Sequence, residues 1–232
     1  MITVIMSICV LMTSICRGME TELIKAFDES CKLFYLPAQK MVPLEEYKQL
    51  ANKYDVNVWQ ADDTPLMQLI GFGVDNAYIN VLLAHKARVN LCDAHGNTAL
   101  HWAMNIHKVF ASEGMYNPTE TVVTLLDKGA DVCATNRDGD TPLHRLYKQP
   151  FTLFCDDLID RSNDVVAITQ AIFTYVGDVN KNKDLLKQIV AKRNNDKKTI
   201  ADLVAAHSQY NDLPALPVLY RTIERYMRLT VK

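Results

Sequence analysis

Residues 137–144 read RDGDTPLH, and residues 94–101 read AHGNTALH. The two stretches share Gly, Thr, Leu and His in the same order. Aligning on the Thr places it at Thr98 and Thr141 and finds two looser copies, DDTPL at Thr64 and DKKTIADL at Thr199. A second mark precedes or follows each copy: DVN at 55–57, RVN at 88–90, DVC at 131–133 and DVN at 178–180. Successive steps of this mark are 33, 43 and 47 residues. A third mark lies between, a run rich in paired apolar residues: INVLLAHKA at 79–87, ETVVTLLDKGA at 120–130 and VVAITQAIFTYVG at 165–177. Each unit therefore reads turn, helix, helix, extended step.

This unit resembles the ankyrin repeat, whose period is about 33 residues. The resemblance covers roughly residues 43–206 and is fullest in the second and third copies, where GNTALHWA, LLDKGADV and DGDTPLH stand almost intact. In the first copy Asp63 is read as replacing the usual Gly. In the fourth, Ile200-Ala201-Asp202 stands for Pro-Leu-His. The resemblance implies an all-α solenoid of about four stacked helix-turn-helix units with short β-hairpin connections and helical caps. One such unit cannot bury its apolar face alone, so stability arises between neighbours.

The motif letters have physical tasks. Thr64, Thr98 and Thr141 offer a side-chain oxygen to an unpaired N–H of the inner helix. Pro65 and Pro142 follow at the first helical position, where no donor is lost. Gly96 and Gly139 permit the positive φ of the turn. Leu66, Leu100 and Leu143 face the core. The resemblance implies that His101 and His144 tie one turn to the next by hydrogen bonds.

The longer intervals imply insertions. About ten extra residues fall near NIHKVFASEGMYNPTE, about fourteen in YKQPFTLFCDDLIDRSND and about eleven in KNKDLLKQIVA. Insertions in a solenoid map to loops, which either drift neutrally or carry specificity. Before the repeats, 21–36 and 43–54 read as two amphipathic helices broken at Pro37 and Pro43, so 19–54 is an N-terminal cap and 55–206 the repeats. Residues 207–232 form a C-terminal cap, with Leu219, Ile223, Tyr226 and Met227 on one face of a final helix. Its Arg221, Arg225 and Arg228 suit a helix C-terminus.

The first sixteen residues carry no charged side chain and are too short to span a bilayer, which takes roughly 20 apolar residues. They fit a signal peptide over 1–18, cleaved after Cys16 or Gly18, although the α-amino group is the sole positive charge before the apolar run. Ile15 makes a lipid anchor at Cys16 the poorer reading, and a buried N-terminal helix is the plain alternative. Cys31, Cys92, Cys133 and Cys155 then remain. An exported chain permits disulfides, but free buried thiols are the simpler expectation.

The charge balance, −2 over 232 residues, argues against binding nucleic acid by phosphate neutralisation. No GxSxG, HExxH or Walker loop is present, so no catalytic residue is assigned. His95, His101 and His107 with Cys92 do not make a convincing zinc set, because His101 already belongs to the motif. Asp138-Gly139-Asp140 lacks the later bidentate Glu of a calcium loop. Neither metal nor cofactor is expected. Cys155 would need a positioned base to act as a nucleophile.

The surface offers more. Residues just after the motif His, on the concave face that the resemblance implies, are Gln68, Trp102, Arg145 and Leu203. Trp and Arg are enriched among interface hot spots. The turn tips offer Asp62, Asp63, His95, Asn97, Arg137, Asp138, Asn195 and Lys197. The basic run Lys181, Lys183, Lys187, Lys192, Arg193, Lys197 and Lys198 reads either as a solvated face or as attraction for an acidic partner. The expectation is an exported, periplasmic or secreted, non-enzymatic monomer. It binds a partner protein through Gln68, Trp102, Arg145, His95, Asn97, Arg137 and Asp138, for example to neutralise a toxin or protect an enzyme. The alternatives are a secreted effector that docks on a host protein, and a small enzyme with its site in 147–164.

Overall fold

The computed structural model describes residues 42–59, 62–105, 116–148, 158–179 and 183–206, with Arg221, Ile223 and Arg225. The signal segment, the 21–36 helix, Cys31, His107, Cys155, Lys181 and most of the C-terminal helix lie outside these residues. So does half of the 147–164 insertion, residues 149–157.

The described elements, in order, are α1 (Leu44–Lys53), α2 (Pro65–Gly71), α3 (Asn76–Ala84), α4 (Ala99–Ala103), α5 (Pro118–Asp127), α6 (Pro142–Lys148), α7 (Leu158–Thr174), α8 (Lys183–Ala191) and α9 (Ile200–Ala206). The chain leaves α7 through a wide π-type turn, Tyr175–Val179. Inner helices α2, α4, α6 and α9 stack in that order. Outer helices α1, α3, α5 and α7 form a second layer in theirs. No extended strand occurs among the described residues. The turns between units are loops closed by one or two bonds, with a bridge between Cys92 and Thr98 in the second unit.

One apolar core runs through the stack. Leu66, Leu100, Leu143 and Leu203 from the inner layer meet Leu82, Leu125, Leu126 and Ile168 from the outer one, and all are buried. At its head Tyr47 packs edge-on to Tyr78, whose hydroxyl donates to the Val42 carbonyl over 2.8 Å. The last insertion forms α8 itself, an amphipathic helix. Leu186, Ile189 and Val190 turn inward while Lys187 and Gln188 stay exposed. Ile223 of the C-terminal segment is also buried in the core.

Polar side chains set the register between units. Asn57 donates its amide to the Lys86 carbonyl and accepts from the Arg88 N–H. Asn90 does the same one unit later, to the Gly129 carbonyl and from the Asp131 N–H. Each thus clamps the end of the next outer helix, which explains the recurrent Val-Asn step. In the third copy Cys133 stands where this Asn should be, and a thiol cannot make the paired clamp. Asn76, buried at the start of α3, bonds both the N–H and the carbonyl of Asn117. That contact returns the chain to register after the insertion in the second unit.

Two readings of the sequence are corrected. The left-handed turn position of the first unit is Asp62, with φ of 73°, and not Asp63. It aligns with Gly96 (80°), Gly139 (71°) and, in the fourth unit, Lys197 (60°). Thiol burial is the second. Cys92 is free but exposed, and Cys133 is free and half-buried. Burial, with Asp131 nearby, pushes the Cys133 thiol up to about 11. Among the described residues no helix is long and apolar enough to cross a membrane.

Candidate protein-binding surface

The turn tips and inner helices form one edge of the stack, and a ladder of side chains organises it. Five residues before the motif Thr stand Asp93, Asn136 and Asn194. Each closes its own loop. Asp93 Oδ1 accepts from the N–H groups of His95 and Asn97. Asn136 Oδ1 accepts from Asp138 and Asp140. Asn194 Oδ1 accepts from Lys198. The two asparagines also reach back to the previous unit: Asn136 Nδ2 donates to Asn97 Oδ1 over 2.9 Å, and Asn194 Nδ2 to Asp140 Oδ1 over 2.8 Å.

The motif histidines add a second rail. His101 Nδ1 accepts from the Thr98 N–H, and its Nε2 donates to the Asp140 carbonyl over 3.0 Å. His144 repeats this between Thr141 and the Lys198 carbonyl. A backbone N–H can only donate and a carbonyl can only accept, so both rings are neutral with the proton on Nε2. Burial holds each ring's pKa below the ordinary range, against the pull of the carbonyl it bonds. Both nitrogens of each ring are engaged, so neither histidine is free for a metal or for proton transfer. Among the described residues no cluster of three potential metal ligands occurs.

The first step of the ladder departs from this pattern. Trp59 occupies the place of Asp93, Asn136 and Asn194, and it is half exposed. Asp93 has no amide to donate backward. It faces Asp63, the counterpart of Asn97 and Asp140, as a like charge. Burial first, then Asp93 and Asp62, push the Asp63 carboxyl up to about 6, against the bond from Gln68 and the nearby His95. Asp93 itself is partly desolvated, but bonds from Asn97, His95 and Trp102 hold it below the usual carboxylate range.

The candidate residues fall into three groups. Asn97 is buried, with amide and carbonyl both engaged by Asp93 and Asn136, so it belongs to the scaffold and not to a docking face. His95, Arg137 and Asp138 are exposed at the tips, where the Arg137 N–H donates to the His95 carbonyl and Asn195 bonds both Arg137 and Asp138. Gln68, Trp102 and Arg145 are half-buried on the inner helices. The Trp102 ring packs against Gly71 and its Nε1 donates to Asp93 Oδ2 over 3.1 Å. Lys148, one turn beyond Arg145, bridges Asp140 and Asp196. Trp59, Lys148 and the ladder were not picked out from the sequence. The ladder was visible there as an Asn or Asp five residues before Thr98, Thr141 and Thr199.

Residues 106–146 match the family model for ankyrin repeats in many copies. The match places ankyrin repeats in this chain. The "Ankyrin repeat and SOCS box protein 6" of Homo sapiens is 46% identical over 61 residues, and its Pongo abelii counterpart matches equally. The aligned stretch is 26% of this chain and only 13% of either relative's length. Ankyrin repeats are protein–protein interaction modules, and this edge sets exposed tips beside half-buried inner-helix side chains.

Proposed function

We propose that this ankyrin-repeat chain is a non-enzymatic binding protein that captures a partner protein across its turn tips and inner helices. One observation carries the reading. The motif residues Thr98, His101, Thr141 and His144 are all engaged in holding units together, while the neighbouring positions Gln68, Trp102 and Arg145 differ from unit to unit and reach the surface. A scaffold that repeats while its adjacent side chains vary is built for recognition. The support for export remains the uncharged, apolar run 1–16, and we place the capture outside the cytoplasm on that ground. The chain acts as a monomer with no nucleic-acid ligand in this reading.

Affinity capture from the native cells tests it, comparing the natural chain with Trp102→Ala and Arg137→Ala. A specific partner lost with either variant supports the proposal. Equal recovery with both, in folded protein, removes it. N-terminal sequencing of the mature chain tests export: a start at Met1 rules cleavage out.

A further inference from the structure

Arg145 is the anomaly of the inner face. Its Nε is buried without an acceptor, and its side chain makes no ion pair or hydrogen bond among the described residues. Leaving a charged donor without an acceptor in a partly desolvated place is unfavourable, and more so than for a neutral group. The carboxylates nearby are already committed. Asp140 takes Lys148 and the Asn194 amide, Asp196 takes Lys148, and Asp202 takes Thr199 and Arg193. The tips beside it are also cationic. Arg137 and Lys197 are exposed, their side chains form no ion pair among the described residues, and Lys192 and Lys198 are exposed as well. Asp138 is the one uncommitted acid on these two tips.

The opposite end of the same edge carries the other sign, with Asp62, Asp63 and Asp93. The edge is therefore charge-polarised along the stack: acidic at the first and second units, basic at the third and fourth.

We infer that the partner presents an acidic segment, rich in Asp or Glu, which lies over the third and fourth units with one carboxylate on the Arg145 guanidinium. The inference rests on the reading of the chain as a binding module and names the chemistry of what it binds. A guanidinium is suited to this, because its planar fork takes a carboxylate by two parallel bonds. Arg137 and Lys197 flank the anchor and attract the segment as it approaches. The carboxylates of the first units repel it, which fixes where along the edge it lies.

The test uses the full chain and fluorescein-labelled hexaglutamate, followed by anisotropy, with hexalysine as the sign control. Hexaglutamate binds, hexalysine does not bind at the third and fourth units, and added salt weakens the complex. Arg145→Gln weakens it about tenfold and Arg145→Lys less, since lysine keeps the charge but not the fork. Arg88→Gln, an exposed cation at the outer-helix edge, leaves it unchanged. Should Arg145→Gln fail to fold, Arg137→Gln on the exposed tip replaces it, with a loss of about threefold. Equal weakening by Arg145→Gln and Arg88→Gln would mean unspecific charge attraction and overturn the inference. Binding that appears only after Asp156 and Asp157 are changed to Asn would also overturn it, since the chain then supplies its own acid. If hexaglutamate does not bind while partner capture still depends on Trp102, the acidic class is wrong and the binding module stands. If capture is also lost, both fail.

Discussion

Burial and the Asp93 carboxylate together push the Asp63 carboxyl up to about 6, at the one step of the tip ladder where acid faces acid. The later steps set an asparagine amide against an oxygen. The group's folded pKa lies above its unfolded value of 3.8, so its contribution favours the fold below about 4 and is lost as pH rises through about 6.

Asp63→Asn should therefore stabilise the chain at neutral pH. The gain is about 1 kcal/mol, allowing for solvent screening of a half-buried group. It shrinks as pH falls from 6 toward 4. Urea unfolding at pH 7 and pH 4.5 checks it, and an equal gain at both values would exclude the like-charge explanation.

The histidine rail gives the opposite slope. His101 and His144 have folded pKa values held below the ordinary value, by burial first. Their stabilisation is complete above about 6.5 and is lost as pH falls through the folded values. His101→Ala leaves the Thr98 N–H without its partner and the Asp140 carbonyl with only the bond from the Asn136 N–H, and should cost about 2–4 kcal/mol at pH 7. The variant's stability should also fall less steeply than the natural chain's between pH 6.5 and 5. Parallel curves would show that the ring's proton is not coupled to folding.

Left-handed positions separate glycine from its stand-ins. A Cβ at Gly139 would meet Asn195 Oδ1 at 2.5 Å and Asn195 N at 2.9 Å, so Gly139→Ala breaks the contact between tips as well as straining the backbone. We expect a loss of about 2 kcal/mol or more. Lys197→Gly and Lys86→Gly, at φ of 60° and 66°, should each gain about 0.5–1 kcal/mol. Thermal melts of the three variants decide the sign at each site.

Gly71 tests the placement of the tryptophan. A Cβ there would come 2.7 Å from two atoms of the Trp102 ring, which is rigid and bonded to Asp93. Gly71→Ala should cost about 1–3 kcal/mol and shift the tryptophan emission. In the Trp102→Ala background the same change should cost little, and a double-mutant cycle without coupling would contradict the packing.

Much of this was legible in the sequence because the motif is local. Thr141, Pro142 and Gly139 act within a few residues of themselves, so their spacing alone reports a helix start and a turn. The His101 bond spans 39 residues, yet the resemblance supplied it because the whole family uses it. What was missed depends on contacts between units. Asn97 looked like an exposed tip residue, and only the neighbouring Asn136 buries and engages it. Asp62 and Asp63 are adjacent acids, and only the backbone torsion tells which one takes the glycine's place. Trp102 reads the same in sequence whether it projects outward or lies on Gly71, because the glycine that admits it belongs to another unit.

Asp202 stands where the earlier units carry histidine, and its carboxylate accepts from the N–H and hydroxyl of its own Thr199. A histidine receives a hydrogen bond on one nitrogen and hands one on from the other, whereas a carboxylate can only receive. The relay that runs from Thr98 to Asp140 and from Thr141 to Lys198 thus reaches a terminus at Asp202. In the language of polymers, the fourth unit is a chain stopper. The bond that is repeated between the earlier units is therefore not handed onward from Asp202.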